Sequence, residues 1–160
     1  MAAMLSQTPV VQIHISRFCN YRCLHCYSSS GPHQKESLKI PDVLAWTASL
    51  FASGYRRVCL SGGEPTLASG FLELANGLSD QGYRVSMITN GSRVQTVLDA
   101  MNTGAVQHTS VSFDGPKALH DQIRAKAGAF DRALSTIKTL AQSGLSCGVV
   151  PRDSSVIGGV

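Results

Sequence analysis

The feature that most constrains this fold is a repeated alternation between two hydrophobic periods. Residues Val10 to Ile15 alternate with period two and are rich in Val and Ile, which reads as a short buried strand. After a loop, Pro41 and Asp42 mark a helix start, VLAWTASLF carries apolar residues at helical spacing, and Gly54 stops it. The unit recurs as RRVCL, SGGEP and FLELANGLSDQ, then as YRVSMI, TNG and VQTVLDAMN. A fourth pass gives TSVSF, the long segment DGPKALHDQIRAKAG with room for one helical turn, and FDRALSTIKTLAQ ended by Gly144; LSCGVV begins a fifth strand. Strands alternating with helices pair in parallel through right-handed crossovers, so the expected class is α/β. In such folds functional groups gather at the carboxyl ends of the strands. Each chemically unusual cluster here directly follows a strand, so four loops are expected to meet on one face.

Composition sets the outer limits. A chain of 160 residues, 43% apolar and 15% charged, suits one soluble domain with a real core. Lys and Arg exceed Asp and Glu by 14 to 10, an excess too small and too scattered to argue for nucleic acid. No apolar run is long enough to span a membrane, and MAAMLSQTPVVQIHIS lacks the charged start and apolar core of a secretion signal. The five cysteines are an odd number, three of them within eight positions. That is poor geometry for disulfides and good geometry for metal or cluster ligation, which implies a reducing cytoplasm.

The clustered cysteines read CNYRCLHC: Cys19, three residues, Cys23, two residues, Cys26. Three thiolates on a cubane iron–sulfur cluster leave one iron open for chemistry, whereas a fully ligated cluster only passes electrons. Two alternatives stand beside this reading. Structural zinc would need a fourth ligand from His25, His33 or Cys59, and a ferredoxin-like carrier would need a fourth nearby cysteine.

CNYRCLHC resembles the CxxxCxxC signature of the radical S-adenosylmethionine (SAM) superfamily, with His25 as the aromatic-type residue before the third cysteine. Further motifs of that family follow in order: Gly62-Gly63-Glu64-Pro65, Thr89-Asn90-Gly91, and the SFDG of Ser112 to Gly115 with HDQIR behind it. The resemblance covers nearly the whole chain. It implies that Cys19, Cys23 and Cys26 hold a [4Fe-4S] cluster, and that His25 belongs to the cofactor site. It also implies that Gly62, Gly63 and Glu64 hold the amino end of SAM, that Thr89 and Asn90 contact SAM or substrate, that Ser112 and Asp114 meet ribose hydroxyls, and that Arg124 pairs with a carboxylate. Taken alone, GGEP is a tight turn, NG a turn signal, Asp114 a cap on the DGP turn and Arg124 a solvated loop residue. Cys59 and Cys147 read as small buried hydrophobes, His14 as structural or facing the interior, and His120 as ordinary.

The activity implied is reductive cleavage of SAM to methionine and a 5′-deoxyadenosyl radical that abstracts hydrogen from substrate, with flavodoxin or ferredoxin as electron donor. Few acid or base residues are then required, because the cofactors carry the hard step. CLHCYSSSGP, GGEP, SFDGP and HDQIR resemble members that modify precursor peptides or assemble peptide-derived cofactors. The alternatives are small-molecule cofactor biosynthesis of the molybdopterin or heme type, and a non-catalytic cluster- or peptide-binding remnant. At about 30 residues per unit a six-unit partial barrel needs about 190. The expectation is therefore one core domain over 1–160, a partial parallel (β/α) barrel of the radical SAM type truncated after its fifth strand. PRDSSVIGGV does not read as a sixth strand and helix, and the auxiliary-cluster extension of similar enzymes is absent from the sequence.

Overall fold

The alternating runs become strands because one side chain in two can be buried under a helix layer. In the computed structural model, which describes residues 9–151, the strands are β1 (Val10–Ser16), β2 (Arg57–Gly62), β3 (Arg84–Thr89), β4 (His108–Ser112) and β5 (Cys147–Val150). They form one sheet in the order β1-β2-β3-β4-β5, every neighbouring pair parallel. Because strand order follows chain order without reversal, right-handed crossovers bring the helices to the same side. This is an open stretch of a (β/α) barrel: the alternation predicts its parallel α/β class, and the resemblance its partial barrel.

The helices are α1 (Ile40–Ala52), α2 (Phe71–Asp80), α3 (Val94–Asn102), α4 (Lys117–Ile123) and α5 (Ala129–Gln142). Pro41 occupies the first turn of α1, where its missing N–H costs nothing, with Asp42 beside it. In α2, Phe71, Leu74, Ala75 and Leu78 are buried, one helical face at i, i+3, i+4 and i+7. They pack with Ile13, Ile15, Val58, Leu60, Val85, Met87 and Val111 of the strands into a single core. Each such large side chain contributes about 1.5–3 kcal/mol on burial.

The segment after β4 departs from expectation. Where the sequence suggests one helical turn, Lys117–Ile123 forms a seven-residue helix. Its burial pattern is too short to show a period, and its stability comes from contacts outside itself. The carboxylate of Asp121 accepts from the Gly128 and Phe130 N–H groups at 2.7 and 2.8 Å, tying α4 to the start of α5. The readings of the N-terminal leader through residue 8, and of residues 152–160 as lacking a sixth strand, fall outside the described residues.

The other face of the sheet is mostly polar, although Cys59 and Ile88 share it. Gln12, His14, Ser61, Ser86, Ser110 and Ser112 alternate with the core positions and so point away from the helices. Barrel interiors are ordinarily filled by branched apolar side chains, whereas most side chains on this face can form hydrogen bonds.

Candidate functional site

At the carboxyl end of β1 the chain leaves the sheet through a register shift between His14 and Ser16. It then folds back on itself. Cys19 N–H donates to the Gly31 carbonyl at 3.2 Å, and Gly31 N–H to the Arg17 carbonyl at 3.1 Å. The Arg17 side chain clamps the loop from outside, donating to the carbonyls of Ser28 and Ser29 at 3.2 and 3.1 Å. Leu24 N–H donates to the Ile123 carbonyl at 2.9 Å, which fixes the middle of the loop to the end of α4.

The glycine pair sits directly beneath this loop. Gly63 N–H donates to the Ser16 carbonyl at 2.7 Å and Glu64 N–H to the Phe18 carbonyl at 3.0 Å. The fit leaves no space for side chains: a Cβ on Gly62 would stand 2.5 Å from the Ser16 oxygen, and one on Gly63 2.0 Å from the Phe18 oxygen. Glycine is required here by backbone approaching backbone.

One cleft gathers the expected residues. Cys19, Cys23, His25, Cys26, Gly62, Gly63, Thr89, Asn90, Ser112 and Arg124 all line it. Glu64 and Asp114 stand behind the wall instead. The Glu64 carboxylate is 1% exposed. It accepts from Thr66 N–H (3.2 Å), Thr66 hydroxyl (2.6 Å), Thr89 hydroxyl (2.8 Å) and Asn90 N–H (2.7 Å). Burial raises its pKa while these four donors pull it back. Its place is that of a bracket joining the β2 loop to the β3 loop. Thr89→Val removes a donor from this buried carboxylate and should cost about 1–3 kcal/mol, measured as a lower urea midpoint. An unchanged midpoint would mean that Thr89 does not support the bracket.

Asn90, at the end of β3, is held by that bracket and reaches across to the cysteine loop. Its amide donates to Asn20 Oδ1 at 2.9 Å and towards Cys19 Sγ at 3.8 Å. The other sulfurs also meet donors. Tyr21 N–H lies 3.5 Å from Cys19 Sγ, Ser30 N–H 3.3 Å from Cys26 Sγ, the Ser28 hydroxyl 3.4 Å from Cys26 Sγ, and Arg124 Nη1 3.8 Å from Cys23 Sγ.

Behind β4, Asp114 forms a buried pair with Arg124. Nε donates to Oδ2 at 2.6 Å and Nη2 to Oδ1 at 2.9 Å. Burial alone would raise the Asp114 carboxyl, but the hydrogen bonds and charge of Arg124, with His25 and His120, outweigh it and hold it below its ordinary value. His25 Nε2 lies 3.5 Å from Asp114 Oδ1. His120 is 1% exposed, and burial followed by the Arg124 charge lowers its pKa. A neutral ring agrees with its Nδ1 accepting from Asp114 N–H at 3.1 Å, so its approach to the carboxylate at 3.6 Å is contact without an ion pair.

Reading His120 as ordinary and Arg124 as solvated therefore misses their burial. The signal available was the grouping of SFDG and HDQIR. Asn20, which bridges Asn90 and the Ser92 hydroxyl, carried no signal. Cys59 and Cys147 lie within β2 and β5, outside the cleft. His14 is on the polar face, its Nε2 3.0 Å from the Tyr27 hydroxyl.

The donor set fits an iron–sulfur cluster. Burial pushes the Cys19 thiol up to about 12, helped by Glu64 and the two neighbouring cysteines. It raises Cys23 as well, there opposed by Arg124. Thiolates in such places persist when a metal takes up their charge, and donors aimed at ligand sulfurs are the usual outer support of a cluster. Among the described residues no three His, Cys, Asp or Glu side chains stand as a group able to hold one ion. A cluster that spreads its ligands over several irons makes no such demand.

Comparisons with known proteins bear on the family and the fold. The Fe-coproporphyrin III synthase of Methanosarcina barkeri (strain Fusaro / DSM 804) is 30% identical over 143 residues, 88% of this chain and 36% of that protein. The sporulation killing factor maturation protein SkfB of Bacillus subtilis (strain 168) is 32% identical over 135 residues, 83% of this chain and 33% of that protein. The chain thus spans about a third of the length of these curated relatives. In fold it resembles Streptococcus suis SuiB, solved bound to precursor peptide SuiA, with a TM-score of 0.73 at 16% identity over 92% of this chain and 34% of that one. Residues 13–151 match the Radical SAM superfamily, and with the cysteine loop, glycine pair and strand-end polar residues converging on one cleft, the chain belongs to that superfamily.

Proposed function

We propose that this protein is a radical SAM enzyme in which Cys19, Cys23 and Cys26 hold a [4Fe-4S] cluster, and that its substrate is a peptide. The observation that carries the reading is the cleft itself, where donors meet each of the three sulfurs beside the Gly62-Gly63 backbone. When bound, the cluster supplies the electron that splits the SAM carbon–sulfur bond, giving methionine and a 5′-deoxyadenosyl radical able to take hydrogen from substrate.

The residues of the chain bind, orient and exclude water. The bare backbone of Gly62 and Gly63 accepts the ammonium end of SAM, while Ser112 serves the ribose and Asn90 braces the cysteine loop beside them. Glu64 acts at one remove, by holding Asn90 and Thr89 in place. Asp114, with both oxygens on Arg124, supports the wall and leaves the ribose to Ser112.

The polar sheet face favours a peptide substrate. Gln12 donates to the Tyr27 hydroxyl and to Ser61 Oγ, each at 3.0 Å, and the Ser86 and Ser110 hydroxyls share that face. Amide, phenol and hydroxyl groups match the donors and acceptors of a peptide backbone better than the several carboxylates of a tetrapyrrole. A reducing cytoplasm and a flavodoxin or ferredoxin donor complete the proposal.

The test is anaerobic reconstitution with iron and sulfide, then addition of dithionite and SAM. Release of 5′-deoxyadenosine is the expected result. Iron loading without that product would favour a non-catalytic remnant, and one tight zinc with no iron would defeat the proposal. A short open reading frame for a precursor beside the gene would support the peptide substrate.

A further inference from the structure

Arg124 is 6% exposed, and each end of its guanidinium is committed. Nε and Nη2 form a two-pronged pair with Asp114, and Nη1 points at Cys23 Sγ from 3.8 Å. The group is planar and rigid, so a carboxylate that grips two nitrogens also fixes where the third points. Asp114 itself meets two further parts of the fold. It stands two residues beyond the end of β4, its N–H is bonded to His120 of α4, and His25 of the cysteine loop lies 3.5 Å from Oδ1.

Stability does not explain such a pair. A buried ion pair is often no better than two apolar side chains of the same volume, because desolvation offsets the Coulombic gain. What the pair adds is a cation fixed beside one particular sulfur. The sulfurs of Cys19 and Cys26 meet the neutral donors of Asn90, Tyr21, Ser30 and Ser28, whereas that of Cys23 meets a positive charge.

We propose that the Asp114–Arg124 pair is a positioning device that holds a cation against the Cys23 thiolate and so raises the reduction potential of the cluster. This rests on the cluster reading above. Reduction adds negative charge to the cluster and its thiolates, and a charged donor at sulfur stabilises the reduced form more than the oxidised one. The Asp114 charge opposes this from the far side of the guanidinium, so it weakens the effect without reversing it. Arg124 is thus a positioning residue acting through Cys23, and the carboxylate it pairs with is within the chain.

The test is the midpoint potential of the reconstituted protein, followed by EPR without SAM, in the wild type and in the double variant Asp114→Asn/Arg124→Gln. The double variant removes both charges and leaves no buried charge unpaired. Iron content and circular dichroism report loading and fold. The expected result is full loading, with reduction at least tenfold less favourable, a fall of 59 mV or more for one electron. Should the double variant not fold, Arg124→Lys takes its place. A single ammonium cannot grip the carboxylate by two bonds and reach the sulfur, so the potential again falls. A wild type that binds no iron overturns the cluster reading and this inference together. A loaded wild type with an unchanged potential in the folded variant, or a folded variant that loses its iron, overturns this inference alone.

Discussion

Cys23→Ala is expected to leave the protein without its cluster. Each of the three thiolates is assigned an iron of its own, so removing one leaves two ligands for a group of about four irons. Among the described residues, the other cysteines, Cys59 and Cys147, lie in β2 and β5 outside the cleft, and the Asp114 carboxylate is occupied by Arg124. Reconstituted iron and sulfide should fall to background, with the visible charge-transfer absorbance lost. Cys59→Ala should keep both, because Cys59 lies within β2 and does not line the cleft. Iron retained in Cys23→Ala at the wild-type level would refute the ligand assignment.

The second large effect is expected at Gly63, which offers no side chain to the cluster. A methyl group there would stand 2.0 Å from the Phe18 oxygen and 2.6 Å from its carbonyl carbon, both backbone atoms. No rotamer can relieve that overlap, so Phe18 must move, and Cys19 follows it directly in the chain. Overpacking of this kind typically costs about 1–3 kcal/mol, and the lost bond from Glu64 N–H to the Phe18 carbonyl adds to it. Gly63→Ala should therefore lower both the urea midpoint and iron uptake. Gly31→Ala, at the other end of the same loop with nothing within 4 Å of its Cβ, should lower neither. Equal behaviour of the two variants would show that close backbone approach is not what makes the glycine necessary.

The strands and the longer helices were legible because each buries a regular stripe: α2 and α5 carry buried residues three and four apart, and β1 to β4 alternate. The cleft was legible in membership for a related reason, since parallel topology sends every strand end to the same rim. What the sequence could not reveal was which way a carboxylate at that rim would turn. Glu64 and Asp114 occupy equivalent positions after β2 and β4, and both turn inward, one to two threonines and a backbone N–H, the other to Arg124. Those partners lie up to 26 residues away, and no local period reports such a distance. Helix α4 runs longer than the one turn expected for the same reason, its seven residues being anchored through Asp121 and the buried His120.

The central claim is that three cysteines leave one iron open to SAM. Its most direct measurement is the EPR spectrum of the reduced, reconstituted protein before and after SAM is added. An open iron binds the added molecule, so the spectrum should change on addition and stay unchanged with a SAM analogue lacking the amino and carboxylate groups. A protein that loads about four irons yet gives the same spectrum with and without SAM would contradict the claim.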